Sequence, residues 1–245
     1  MSQQENFVSH LVELRDRLLR AVIGFLIVFV ALMAYPGAAY IFDLLALPIQ
    51  SALPEGTKMI ATGVITPFMV PVKLTAMVAF VISLPILLYQ AWSFIAPGLY
   101  LHEKKMALPI IFSSTVLFLL GIAFCHFIVF GKVFAFINDF APQSITPAPD
   151  IEAYMSFVLT MFMAFGMTFE VPIIVVVLVY LGVITVEKLQ EIRGYVIVGA
   201  FVIAAIVTPP DVMSQLFLAI PICILYEVGI LAAKLIGKKR QEILE

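Results

Sequence analysis

Long apolar runs alternate with short polar segments along almost the whole of this sequence. A helix of about 20 apolar residues can cross a hydrocarbon core about 30 Å thick. The pattern therefore predicts an all-α fold, a polytopic membrane protein with six transmembrane helices in a single domain over residues 1–245. The predicted spans are residues 21–35, 72–95, 107–130, 154–181, 195–208 and 212–235.

The first 20 residues carry an amphipathic pattern. Phe7, Leu11, Leu14 and Leu18 recur at helical spacing, and the charged residues lie largely opposite them. This is typical of a helix that lies at a membrane interface. The stretch contains acidic residues and is followed by no small-residue cleavage site, so it does not resemble a removable signal peptide. We expect residues 1–20 to form a cytoplasmic interfacial helix and the first span to stay as an anchor.

Proline and glycine punctuate the segment after the first span. Pro36-Gly37 is predicted to end that span, because proline cannot continue a helix and glycine adopts the left-handed stop. From residue 38 to residue 71 the sequence has a short apolar stretch and four prolines, among them Pro48. A structured cap outside the membrane is predicted here.

The fifth predicted span is shorter than the others. From Tyr195 to Thr208 it has about 14 residues, or about 21 Å at 1.5 Å per residue. That length is less than the hydrocarbon core, so we expect the bilayer to be thinned or water to reach inward.

Composition excludes several classes of function. Hydrophobic residues make up 63% of the chain and charged residues 12%, whereas soluble domains have about 25% charged residues. The net charge of −2 gives no sign of nucleic-acid binding. Cys125 and Cys223 lie inside apolar runs, so neither a disulfide nor a metal site is predicted. No cofactor is expected.

Catalytic motifs are also missing from the sequence. The glycine-rich nucleotide motifs and HExxH are absent. An intramembrane protease would need paired acids, a Ser and His pair, or metal ligands within its spans, and His126 stands alone there. The chain is therefore predicted not to be an enzyme.

Basic residues predict the orientation, because Lys and Arg favour the cytoplasmic ends of spans. Lys58, Lys73 and Lys132 fall on one predicted side. Eleven fall on the other, namely Arg15, Arg17, Arg20, Lys104, Lys105, Lys188, Arg193, Lys234, Lys238, Lys239 and Arg240. Both termini are predicted to be cytoplasmic, and residues 37–71, 131–153 and 209–211 to lie outside.

Glu170 is the carboxylate that lies deepest in an apolar run. Insertion of such a group costs on the order of 2.5 to 3.5 kcal/mol, so it needs protonation, a partner or water. Pro172 frees a backbone carbonyl and offers a kink where water could enter. The alternatives are a protonated Glu bonded to a neighbouring helix and a functional polar notch. Glu227 in the sixth span is more ambiguous and could simply reach the inner interface.

Four motifs in order resemble the TatC family, the receptor subunits of the twin-arginine translocation system. They are His10–Arg15, the loop Phe94–Lys105 with Ala96-Pro97-Gly98 and His102-Glu103, the segment Phe165–Pro172, and Thr208–Val212. The resemblance implies a protein of the bacterial cytoplasmic membrane that binds twin-arginine signal peptides. It also implies partners, the single-span proteins TatA and TatB, an oligomeric TatBC complex, and energy from the proton motive force.

The same resemblance assigns a signal-peptide site. Glu13 and Glu103 are predicted to hold the two arginines of the peptide, since Arg suits a carboxylate through two parallel N–H bonds. Further contacts are predicted from Arg15, Phe94, Lys104 and Lys105. The alternative is that Glu13 pairs with Arg17 four residues on, while Glu103 suits the positive end of its helix.

A second site is predicted around the Pro209-Pro210-Asp211 turn. In the TatC family this region contacts TatA and TatB, so Thr208, Gln215 and Ala205 are predicted to form the docking surface. The alternatives are plain interhelical hydrogen bonding by Thr208 and Gln215 and capping of the sixth span by Asp211.

Two other classes of function stay open at this point. A proton-coupled carrier of small solutes could use Glu170, although the halves show no internal repeat or matched broken helices. A passive membrane scaffold would need none of the carboxylates.

Overall fold

A computed structural model describes residues 2–50, 59–95, 107–133, 136, 150–208 and 211–244. Nearly all of these residues are helical, and no β-strand occurs among them, which confirms the all-α class. The helices are α1 Ser2–Ala34, α2 Ala38–Gln50, α3 Thr66–Ile95, α4 Ala107–Phe124, α5 Ile151–Phe169, α6 Val171–Tyr180, α7 Val186–Glu191, α8 Arg193–Val207 and α9 Val212–Leu244. A π-helical turn, Cys125–Val129, continues α4.

Five stretches within the described residues are long and apolar enough to cross a membrane. They are Leu11–Ala34, Thr66–Phe94, Leu108–Val133, Ile151–Tyr180 and Val212–Ile236, and Arg193–Val207 is a shorter apolar helix. The segment predicted as interfacial and the first predicted span lie on one helix, α1. The stretch predicted as the fourth span consists of two helices, α5 and α6, that meet at Glu170.

The end of α1 is explained by the Pro36-Gly37 pair. Gly37 has a φ of 94°, a left-handed conformation that glycine adopts without strain. Its N–H donates to the carbonyl of Leu32 at 3.0 Å, which ends the helix. The predicted glycine stop is confirmed, and α2 begins directly afterwards.

The chain divides into two compact units. The first comprises residues 1–115 and 146–159. In it α1 and α2 pack against α3, and a Cβ on Gly24 would lie 3.2 Å from Cγ2 of Ile86. Close approach of α1 to α3 therefore depends on the missing side chain at position 24.

The second unit comprises residues 116–145 and 160–245. Here α9 packs against α6 and α8. Glycine permits two close crossings in this unit: a Cβ on Gly121 would lie 2.5 Å from the carbonyl oxygen of Phe165, and one on Gly229 would lie 3.0 Å from Cα of Pro172. Any larger residue at these positions would push the helices apart.

Candidate functional site

Glu13 lies on the solvent-accessible side of α1 and is held by Arg17. Nε and Nη2 of Arg17 both donate to Oε1 of Glu13, at 2.9 and 2.6 Å. The two side chains are 22% and 34% exposed. The i,i+4 pairing raised as the alternative for Glu13 is therefore present. Oε2 lies outside this contact, so the carboxylate keeps an acceptor for a second guanidinium.

The neighbouring charges form a shallow depression on the same helix. It is lined by Val12, Glu13, Asp16, Arg17 and Arg20. Arg15 donates to Oδ1 of Asp16 through Nε at 2.9 Å and Nη2 at 2.8 Å, and its predicted contact with the signal peptide stays a prediction. Arginines thus outnumber carboxylates in this stretch of α1, and a dicationic ligand would need a further carboxylate from elsewhere.

Phe94 is the described member of the predicted loop. It is half-buried in the last turn of α3. Glu103, Lys104 and Lys105 lie outside the described residues. Their predicted contacts therefore stay predictions.

Glu170 lies at the break between α5 and α6. Its backbone has helical torsions (φ −75°, ψ −18°), its N–H donates to Met167 O at 3.1 Å, and Pro172 follows in the first turn of α6. The residue is half-buried, next to the buried Thr168. The ring of Phe169, directly before Glu170, lies 5.6 Å from that of Phe124. A polar residue thus occupies an interruption of the helix within an otherwise aromatic and aliphatic setting.

Thr208 and Gln215 are bonded within the chain. The hydroxyl of Thr208, which is buried, donates to Ala204 O at 2.8 Å, and Nε2 of Gln215 donates to Phe201 O at 3.1 Å. The second bond joins α9 to α8 and matches the interhelical alternative. Ala205 is exposed on α8. The surface next to these polar groups is therefore accessible even though Thr208 itself is not.

Four further residues were predicted to be important in the loops and turns. Asp211 accepts from the backbone N–H of Ser214 at 2.7 Å, so it caps α9 as one alternative predicted. Pro209 and Pro210 lie outside the described residues. Pro48 falls within α2.

A network around Asp150 was missed by sequence reasoning. Oδ1 of Asp150 accepts from the N–H and hydroxyl of Thr62 at 3.2 and 2.8 Å, and Glu152 accepts from Thr66 and Lys73, each at 2.9 Å. The N–H of Ala153, followed by the Thr62 groups, holds the pKa of Asp150 below its usual range. The acidic pair ahead of an apolar run was a capping signal, but nothing local pointed to partners about 80 positions earlier.

A second missed network joins α7, α8 and α9. Arg193 and Glu227 form an ion pair with Nε to Oε1 at 2.6 Å and Nη2 to Oε2 at 2.7 Å. The hydroxyl of Tyr226 donates to the carbonyl of Leu189 at 2.8 Å. We call these four residues the Arg193 network. The available signal was a Glu inside one apolar segment and an Arg at the start of the segment before it.

The described residues hold no group of three or more His, Cys, Asp and Glu side chains placed to bind a metal ion. The contacts described above support two binding capacities. The protein can offer a carboxylate to a guanidinium on α1, and it can present apolar helix surface with polar groups beside it on α8.

Comparison with known proteins gives one family. Residues 9–221 match the family model for the Sec-independent protein translocase protein TatC. The TatC of Haemophilus influenzae is 50% identical over 99% of this chain and 94% of its own length. The TatC of Escherichia coli K12 is 45% identical over 95% of this chain and 90% of its own.

Solved structures agree with this assignment. A crystal structure of the twin-arginine translocase receptor TatC is 42% identical to this chain, with a TM-score of 0.81, and covers 92% of this chain and 98% of that one. A second, in DDM, has a TM-score of 0.82 at 41% identity, over 91% of this chain and 99% of that one. TatC proteins are protein-translocase components of the bacterial cytoplasmic membrane and not enzymes. By this match, over nearly its whole length, the chain belongs to the TatC family of Sec-independent protein translocases.

Proposed function

We propose that this chain is the receptor for twin-arginine signal peptides, and that it assembles with TatA and TatB to export folded proteins using the proton motive force. The observation that carries the receptor role is the hydrogen bonding and exposure of the Glu13 carboxylate. Its carboxylate already binds a guanidinium, that of Arg17, through Oε1, and it is only 34% exposed. A partly dehydrated carboxylate whose second oxygen lies outside the contact with Arg17 suits a ligand arginine.

We propose a topology of six spans with both termini in the cytoplasm, which fits this role. Under that topology α1 crosses outward and α3 returns. From the contact of Gly24 with Ile86, Glu13 lies about 16 Å back along α1 and Phe94 about 12 Å forward along α3, at 1.5 Å per residue. Both then fall on the cytoplasmic side, where Glu103 with Lys104 and Lys105 follows α3. The predicted cap over residues 38–71 is periplasmic in this topology.

The second proposed site is the docking surface for a TatA or TatB helix at Ala205, Thr208 and Gln215. Its support is the exposure of Ala205 next to two polar residues whose hydrogen bonds run to backbone carbonyls. A partner's polar side chain could replace either bond. Glu170, at the break of the fourth span, is proposed to draw water or a partner's polar group into the bilayer.

Signal-peptide binding by the full chain in native membranes tests the receptor role. Loss of a charge-assisted hydrogen bond costs about 1.5 to 3 kcal/mol, so Glu13→Ala should raise the Kd for a twin-arginine peptide roughly tenfold or more. Glu103→Ala should do the same, and the double variant should bind more weakly still. Photo-crosslinking of the peptide to α1 is the direct readout.

Glu191→Ala is the matched control. Glu191 is an exposed carboxylate paired with Lys188 at 2.9 Å, so its removal changes the charge equally and should leave peptide binding as it is. Peptide crosslinking that survives the Glu13 and Glu103 substitutions together, at normal protein levels, would refute the site.

A further inference from the structure

The Arg193 network joins the start of α8 to the middle of α9. Arg193 is the first residue of α8 and Glu227 lies 34 positions further on in α9. Two nitrogens of the guanidinium face two oxygens of the carboxylate, at 2.6 and 2.7 Å. This two-pronged arrangement is the most directional of ion pairs, because both groups are planar and must align. It therefore restrains the angle between the helices as well as their distance.

The neighbouring residue adds a second restraint at the same level. Tyr226 is buried and its hydroxyl bonds the backbone of Leu189 in α7 at 2.8 Å. Both residues belong to an apolar cluster with Val175, Ile230 and Ala233. The start of α8 and the preceding helix α7 are thus held on α9 by a charged pair, a hydrogen bond and apolar packing together.

The positive charge of Arg193 lies where it is unfavourable for α8 unless Glu227 compensates it. A cation at the amino end of a helix opposes the helix dipole, and Arg193 occupies that position in α8. Glu227 offsets this unfavourable placement. Each side chain is 45% exposed, so the pair is accessible to water and its function is not that of a sealed core contact.

The opposite end of the α8–α9 pair carries the proposed docking surface. From Arg193 to Val207, and from Val212 to Glu227, the chain rises about 22 Å at 1.5 Å per residue. At that far end a hydrogen bond between uncharged groups, from Nε2 of Gln215 to Phe201 O, joins the two helices. Because α8 behaves as a short rod, its tilt at the exposed Ala205 depends on how its other end is held.

We infer that Arg193 and Glu227 are positioning residues for partner docking: their ion pair sets the tilt of α8 and thereby the placement of the surface around Ala205. This inference rests on the proposed docking of TatA or TatB at that surface. Neither residue contacts the partner. Their effect on docking is carried by the rigid helix.

The test uses the full chain in native membranes with its partners present and a photo-crosslinker at position 205. Arg193→Gln and Glu227→Gln should each lower the partner crosslink by up to about fivefold, as expected for loss of a water-accessible ion pair. The exchanged pair Arg193→Glu with Glu227→Arg should restore it to within about twofold, because Glu at the amino end of α8 also suits the helix dipole. Arg193→Lys should give a crosslink weaker than that of the exchanged pair, since Lys keeps the positive charge but loses the two-pronged contact.

Two further readouts separate positioning from general loss of fold. Signal-peptide crosslinking to α1 should stay unchanged in the single variants, and Lys188→Gln with Glu191→Gln, an exposed pair in α7, should change neither crosslink. Spin labels at positions 206 and 220, in a chain with Cys125→Ala and Cys223→Ala, report the separation of α8 and α9 directly. Their distance distribution should broaden in each single variant and narrow again in the exchanged pair.

The outcomes distinguish this inference from the proposed docking site. Absence of any partner crosslink at position 205 in the otherwise unchanged chain would refute the docking site, and the label distances would then test the restraint by itself. Unchanged label distances and crosslinks in both single variants would overturn the inference. An exchanged pair that is present at normal levels but fails to restore docking would also overturn it.

Discussion

Two arginine–carboxylate pairs in this protein have similar contact distances but join different parts of the chain. Arg17 and Glu13 lie four residues apart on α1, with Nη2 to Oε1 at 2.6 Å. Arg193 and Glu227 lie on α8 and α9, 34 residues apart, with Nε to Oε1 also at 2.6 Å.

The difference determines what happens when a pair is broken. The first pair is a consequence of helical spacing, so α1 keeps its shape if Glu13 turns to another guanidinium. The second pair restrains two helices, so substitution of either residue alone would let α8 move relative to α9. A local pair is therefore suited to binding a ligand and an interhelical pair to holding a surface in place.

The largest expected effect comes from leaving Arg193 without its carboxylate. Glu227→Leu should lower the free energy of unfolding by up to about 1 kcal/mol, because it removes a water-accessible ion pair that joins two helices and leaves an unpaired cation at the amino end of α8. Glu13→Leu should lower it by about 0.5 kcal/mol or less, since an i,i+4 pair within one helix contributes only about 0.3 to 0.5 kcal/mol and holds no second helix. Denaturant unfolding of the purified chain in detergent micelles measures both. Equal losses in the two variants would remove the distinction drawn between the pairs.

A smaller effect is expected at Asp150, whose partners are N–H and hydroxyl groups and not a cation. Because these hydrogen bonds favour the ionised form, the pKa of Asp150 is lowered. Its stabilisation is complete above the usual carboxyl pKa and is lost as the pH falls through the lowered pKa. Thermal unfolding followed from neutral to acid pH should show this loss in the unchanged chain. Asp150→Asn should be less stable at neutral pH and should lack this part of the pH dependence.

The smallest effect is expected at Arg17. Arg17→Ala should lower the free energy of unfolding by about 0.5 kcal/mol or less, as for other i,i+4 pairs. Arg20→Ala on the same helix is its control for loss of one positive charge. A loss several times larger would mean that Arg17 holds α1 on its neighbours and not only Glu13.

Much of this fold could be predicted because the relevant signals are local. Apolar runs of sufficient length predicted the helices, the Pro36-Gly37 pair predicted the end of α1, and Asp211 was recognised as a possible cap. The Glu13–Arg17 pair was also foreseen, since helical spacing alone brings residues four apart together. The family motifs added the assignment to TatC, which the comparisons confirm.

Other features depended on contacts that no local pattern contains. Asp150 meets Thr62 across 88 positions and Arg193 meets Glu227 across 34. The π-helical turn Cys125–Val129 lies in an apolar run with no proline to mark it. A ring contact of His126 with Phe162, at 6.3 Å between centroids, joins the turn to α5. The signal-binding role of Glu103 and the orientation of the termini stay predictions.

The physical reason for this division is the range of each interaction. Helix formation, termination, capping and i,i+4 pairing involve residues that the backbone already holds within a few ångströms of one another. A contact between helices forms only after packing brings distant positions together, and close approaches such as that of Gly229 to Pro172 decide which ones meet. Local chemistry was therefore enough to predict that Glu13 has an arginine beside it, whereas only the packing of α8 on α9 revealed that Glu227 has one too.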